Sequence, residues 1–184
     1  RMSLWAHLAT ALSRDGRASL ITLVAVEGSS PREAGTRMLV LADGRYSGTI
    51  GGGALEWQAM AEAQRLMQSR PDGAGEVRSF SLGPDLGQCC GGRVRLLIEA
   101  FAAVDLGWIE KLAAASSAQP ATESLRDARG IYPRYLVGIS NGFFWKETGF
   151  LHEVHGENRM PLLLFGAGHV GRALVLALAP LPFT

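Results

Sequence analysis

Cysteine is scarce in this sequence: there are two in 184 residues, and they are neighbours, Cys89 and Cys90. That excludes the disulfide framework of a small secreted domain, so the fold must come from an apolar core. Charge of one sign is lacking too. Lys and Arg number 18 against 17 Asp and Glu, a formal net charge of +1, which gives no electrostatic footprint for nucleic acid or an anionic membrane. Long clean apolar runs are missing. The nearest, 161–183, is interrupted by His169 and Arg172 and is a poor spanning segment. No secretory leader is expected at the opening residues, because Ser3-Leu4-Trp5-Ala6-His7-Leu8 is amphipathic and soon meets Arg14 and Asp15. Arg1 ahead of Met2 reads as a cloning remnant. A cytoplasmic protein is expected. What the chain does have is glycine, 23 residues of it, clustered in short runs that suit backbone-built binding loops.

The pattern along the chain predicts a mixed α/β fold. Leu4, Trp5, Leu8 and Leu12 recur at helical spacing between Ser3, a natural N-cap, and Gly16, a natural stop. Residues 18–27 (ASLITLVAVE) have the β-branched and aliphatic character of a buried strand. Strands are also expected over 36–41 and 45–50, joined by a turn at Asp43-Gly44. A helix over 54–69 follows, its apolar face being Leu55, Ala59, Met60, Ala63, Leu66 and Met67. Further strands are expected at 77–82 and 94–101, around a glycine-rich loop at 83–92. Residues 104–115 read as helix and 116–133 as a linker. A hairpin is expected over 135–151, turning at Asn141-Gly142. At 162–165 an aliphatic strand leads into a glycine turn and a helix over 172–178. This organisation divides the chain into a mixed α/β domain (2–102), a connecting helix, linker and hairpin (103–160), and the first β-turn-α unit of an incomplete Rossmann-like domain (161–184).

Four glycine-bearing stretches are candidates for chemistry. Gly51, Gly52 and Gly53 precede a helix and could turn several amides toward a phosphate or carboxylate. Three glycines also serve simply to make a tight strand-to-helix turn, and Glu56 in the first helical turn already offers a negative charge there. Cys89 and Cys90 sit on a loop rich in glycine, where thiols act as soft metal ligands, sulfur carriers or a vicinal disulfide. Two thiols are too few for a closed zinc site. Gly28-Ser29-Ser30-Pro31-Arg32-Glu33-Ala34-Gly35 is a turn by composition, with hydroxyls and a guanidinium available to a polar ligand. Short strands would bring these three loops to one edge of a sheet. Gly166-x-Gly168-x-x-Gly171 after an aliphatic stretch matches the dinucleotide fingerprint, although one such unit is not a Rossmann domain. His152 and His155 have ligand-like spacing but lie in a polar stretch and are expected to be solvated.

Three stretches, GSSPREAGTRMLV (28–40), SGTIGGGALE (47–56) and LGPDLGQCCGGRVRLLIE (82–99), resemble the XdhC family, the xanthine dehydrogenase accessory proteins, whose amino-terminal domain is also called XdhC/CoxI. LLLFGAGHVGRAL (162–174) resembles the start of that family's carboxy-terminal Rossmann domain. The resemblance implies a chaperone that binds molybdenum cofactor as molybdopterin. Such a chaperone keeps the cofactor available for sulfuration by a cysteine desulfurase and delivers it to xanthine dehydrogenase. On that footing Cys89 and Cys90 become candidate molybdenum contacts, with Gly51, Gly52 and Gly53 under the cofactor's phosphate. Ser29, Ser30 and Arg32 or Arg37 would complete the cofactor-binding set, and Gly166, Gly168 and Gly171 would take a dinucleotide.

No acid–base pair stands out, which suits an accessory protein more than an enzyme. Two rivals stay open: an NAD(P)-dependent oxidoreductase built on Gly166 to Gly171, and a sulfurtransferase carrying a persulfide on Cys89 or Cys90. A homodimer is expected by base rate.

Overall fold

The computed structural model describes residues 3–83, 91–115, 120–138, 142–155 and 162–179. Helix α1 (Leu4–Asp15) begins where the Ser3 hydroxyl accepts the Ala6 amide and ends at Gly16 in a left-handed conformation. Strand β1 (Arg17–Glu27) follows, then β2 (Arg37–Leu41), β3 (Tyr46–Gly48) and helix α2 (Gly53–Ser69). Strands β4 (Ala74–Ser81) and β5 (Arg93–Ala102) come next, and a short 3₁₀ turn (Ala103–Asp105) leads into α3 (Leu106–Ala115). These strands form an antiparallel sheet in the order β3-β2-β1-β5-β4. Its two central members, β1 and β5, carry the longest aliphatic runs, which sheet interiors favour because both faces are covered.

The alternation along β1 sends side chains to two cores. Ile21 and Leu23 join Met38, Val40, Leu96 and Ile98 beneath α2, which contributes Leu55, Ala59, Ala63, Leu66 and Met67. Ala18, Leu20, Leu39 and Phe101 point the other way, against α1 and α3 through Leu8, Leu12, Ile109 and Leu112. A register shift between Leu23 and Ala25 marks a bulge in β1.

A second antiparallel sheet is built from β6 (Ala121–Leu125), β7 (Tyr135–Val137), β8 (Phe144–Lys146) and β9 (Phe150–Val154), in the order β7-β6-β9-β8. It meets the first sheet through Leu151 and Trp145, which cluster with Val24, Leu97 and Tyr132. The mixed α/β expectation therefore holds, and both sheets are antiparallel.

Three local expectations are corrected. The stretch read as a linker holds β6, whose alternating ATESL pattern was masked by polar residues that nonetheless bury: Thr122 and Ser124 are both inside. The hairpin read over 135–151 does not form. Strand β7 pairs with β6, and the hairpin in this region joins β8 to β9 through Gly149, which adopts φ +98°. Asn141, named as its turn, lies outside the described residues. Finally, residues 162–165 form no strand. Helix α4 (His169–Leu178) follows with none of its residues buried, so the aliphatic character of this segment has no sheet to enter among the described residues.

Candidate functional site

Two motif loops of the first hundred residues and the base of the third meet at one end of the five-stranded sheet. Strand β1 exits through Gly28, whose φ of +75° starts the turn. The loop is pinned where it returns, with the Gly35 amide donating to the Leu23 carbonyl at 2.8 Å and the Leu23 amide to the Thr36 carbonyl at 2.9 Å. Inside it the Ser30 hydroxyl donates to the Arg32 carbonyl at 2.9 Å. Ser29 supplies its carbonyl to the Gly92 amide at 3.1 Å, and the Gly92 carbonyl in turn accepts the Leu82 amide at 2.9 Å. A side chain at 92 would put its Cβ 2.2 Å from the Ser29 oxygen, so only glycine permits this approach. On the other flank Gly51, at φ +133°, lies against Pro31: a Cβ there would stand 2.6 Å from Pro31 Cγ. The Ser-Pro-Arg loop is thus sandwiched between the glycine turn and the base of the 83–92 loop. Cys89 and Cys90 belong to that last loop and lie outside the described residues.

The glycine turn does not present an empty anion cradle. The Glu56 carboxylate folds back into it from the first turn of α2. Its Oε1 accepts the Thr49 hydroxyl, the Ile50 amide at 3.0 Å and the Gly52 amide at 2.9 Å. Partial burial works against the charge. The bonds from Thr49, Gly52, Ile50 and Gly51 outweigh it and hold Glu56 below the usual carboxylate range. The expectation that a phosphate sits on Gly51, Gly52 and Gly53 is revised accordingly, because the chain's own carboxylate already takes amides of that turn.

Arg37 is also committed. Its guanidinium donates from Nε and Nη2 to Glu153 Oε1 at 3.2 and 2.9 Å. Glu153 and Glu99, both fully buried, flank Arg134: Arg134 Nε donates to Glu153 Oε2 at 2.7 Å, and Arg134 Nη1 donates to Glu99 Oε1 at 2.7 Å. Glu99 Oε1 accepts the Tyr132 amide as well, at 2.8 Å. The Arg134 guanidinium lies 5.4 Å from the Trp5 ring centroid and 5.9 Å from that of Trp108. Burial alone would raise Glu153, but Arg134 and Arg37 pull it far below the normal range. This network welds the second sheet to the first and removes Arg37 from the ligand-facing set. Arg32 is exposed, and among the described residues nothing engages its guanidinium.

His155 overturns the expectation that it is solvated. It is 1% exposed; its Nδ1 accepts the Trp5 indole N–H at 2.9 Å, and its Nε2 lies 2.7 Å from the Thr122 hydroxyl. Burial lowers its pKa to about 3, Glu153 opposing and Arg37 and Arg134 assisting. It is a neutral core histidine. His152 Nδ1 lies 3.5 Å from Glu123. Among the described residues no group of three or more His, Cys, Asp and Glu side chains is placed to hold a metal ion.

The buried set of Glu99, Arg134, Glu153 and His155 was not found from sequence. One signal was there: Glu99 interrupts the aliphatic run VRLLIEAF, and a charge in such a strand calls for a buried partner.

The fourth glycine stretch, at 166–171, makes a tight turn into α4. Gly166 has φ +108°, Gly168 caps α4, and a Cβ at Gly171 would lie 2.6 Å from the Gly166 oxygen. Turn and helix are therefore closely packed at Gly171. No helix among the described residues is long and apolar enough to cross a membrane.

Two of the three motif loops lie in a segment, residues 11–80, that matches the XdhC and CoxI family. The likeness carried by the motifs at 28–40 and 47–56 therefore holds, while the Cys89-Cys90 loop lies beyond the matched span. The chain is also 39% identical over 83 residues to the molybdenum cofactor insertion chaperone PaoD of Escherichia coli strain K12, covering 44% of this chain and 26% of that protein. Among solved structures it is similar to a Bacillus halodurans protein described as a xanthine dehydrogenase. The TM-score is 0.70 at 22% identity, over 99% of this chain and 61% of the other. At that identity the structural likeness speaks to the fold alone. The chain spans about a quarter of PaoD's length.

Proposed function

We propose that this chain is the cofactor-handling part of an accessory chaperone that carries molybdenum cofactor in its molybdopterin form. In this reading the protein holds the cofactor through sulfuration by a cysteine desulfurase and hands it to xanthine dehydrogenase, acting in the cytoplasm as a homodimer. The observation that carries the proposal is the convergence of the Ser29-Ser30-Pro31-Arg32 loop, the Gly51–Gly53 turn and the base of the Cys89-Cys90 loop at one sheet end. The similarity to a molybdenum cofactor insertion chaperone supports it.

The residues fit such a group as a shallow surface and not as a deep pocket. Ser29 and Arg32 are exposed there, Ser30 partly so, and Arg32 is a cation open to a phosphate while Arg37 is paired with Glu153. When bound, the cofactor supplies a molybdenum centre with soft-ligand affinity, which thiolates at Cys89 and Cys90 would protect. Gly166, Gly168 and Gly171 would hold a dinucleotide as an accessory site.

The test is the molybdenum and pterin content of the full-length protein, purified anaerobically from cells that make the cofactor. Near-stoichiometric pterin is expected, and replacing Cys89 and Cys90 by serine should lower its retention without unfolding the protein. Absence of pterin together with tight NAD binding would replace this reading with an oxidoreductase. A labile sulfane sulfur on either cysteine without pterin would replace it with a sulfurtransferase.

A further inference from the structure

We propose that Trp57 is the ring-contacting residue of this site, packing against the flat pyrimidine ring of the bound cofactor's pterin over the bare backbone of Gly52 and Gly53. The inference rests on the carrier reading above and deepens it.

Four tryptophans occur in the chain, and three have evident structural work. Trp5 is buried and donates to His155, Trp108 stacks edge-on against Trp5 and Phe101, and Trp145 donates to the Tyr132 hydroxyl at 3.2 Å. Trp57 is different: it is 72% exposed, on the side of α2 away from the buried face formed by Leu55, Ala59, Ala63 and Leu66. A single exposed apolar side chain is ordinary on a protein surface, so what distinguishes Trp57 is where it stands. Its place is specific. Helical side chains lean back toward the helix N-terminus, so an indole at 57 covers ground beside Gly53. That ground is unobstructed. Gly53 is exposed, and a Cβ built on Gly52 would meet nothing within 4 Å. Glu56 has already taken the Ile50 and Gly52 amides, so what the turn still offers is a flat backbone surface and an aromatic edge. Those features match the flat pyrimidine face of a pterin and do not match an anion.

The experiment compares co-purifying pterin in full-length wild type, Trp57→Ala and Trp57→Phe, with thermal melting as the control for folding. Because the indole is exposed, both variants should melt like wild type. Trp57→Ala should retain less pterin by about fivefold or more, the lower end of an aromatic stacking contribution, and Trp57→Phe should recover most of it. Equal retention in wild type and Trp57→Ala overturns the ring contact and leaves the carrier reading standing. Full retention combined with failure to activate the apo-enzyme also overturns it and makes Trp57 a docking residue. If wild type itself carries no pterin, both proposals fall together.

Discussion

Glu56 and Gly52 are four residues apart and close a loop on each other, the Gly52 amide donating to Glu56 Oε1 at 2.9 Å. Because the same oxygen also receives Thr49 and the Ile50 amide, one carboxylate organises the whole strand-to-helix turn. Glu56→Ala should therefore reduce stability by about 1–3 kcal/mol, since it strands donors that have lost their acceptor. Glu56→Gln should cost less, because its amide oxygen still accepts. Denaturant midpoints check the order. Sulfate should stabilise the alanine variant more than wild type, since an anion can then replace the missing carboxylate.

Gly51→Ala tests the seam between two of the loops. The added methyl meets Pro31 Cγ at 2.6 Å, on a backbone at φ +133° that side chains rarely adopt. A loss of about 1–3 kcal/mol is expected. Pro31→Gly in the same background should recover the part due to the clash and leave the part due to the backbone. A double-mutant cycle separates the two.

Arg134→Met should be among the most damaging single changes. It leaves Glu99 and Glu153 buried and facing each other without the cation that bridges them at 2.7 Å on either side. Breaking such a network by removing one member costs about 3–5 kcal/mol. Adding Glu99→Gln and Glu153→Gln should restore much of the loss, which equilibrium unfolding would show.

Stability should depend on pH through His155. Its folded pKa is lowered to about 3 from an unfolded value near 6.5, so the unfolded chain binds the extra proton first. The contribution is complete above about pH 6.5 and is lost as pH falls toward 3. The slope approaches about 1.4 kcal/mol per pH unit within that window. Unfolding curves at pH 7, 6 and 5 should show this decline, and His155→Gln should flatten it. A wild-type stability that stays level from pH 7 to 5 would contradict the buried neutral ring.

Much of the first sheet was legible in sequence because its signals are local. Ser3 and Gly16 bracket α1, Asp43-Gly44 marks the β2–β3 turn, and the aliphatic runs of β1 and β5 declare themselves as buried strands. The first two loops and the base of the third meet as expected, since each leaves a strand end. The second sheet was less legible because its order comes from distant partners. Thr122 and Ser124 look like linker residues until β6 is paired with β9, and His155 looks solvated until Trp5, 150 positions earlier, is placed against it. Arg37 is equally ambiguous by sequence, as nothing near it announces Glu153, 116 residues away. Residues 162–165 show the converse: an aliphatic run predicts a strand, yet a strand exists only where another pairs with it.

The strand order also separates what is recognisable from what can stand alone. The family match ends at residue 80, yet β5 begins at Arg93 and lies between β1 and β4, and among the described residues it is the one strand paired with β4. A fragment cut at the end of the match would be a sheet with its middle removed: β1 would gain a raw edge and β4 would have nothing to hold. The shortest piece to express for studying the loop cluster should therefore run at least through Ala102. Including the second sheet would keep Glu99 from being marooned without Arg134.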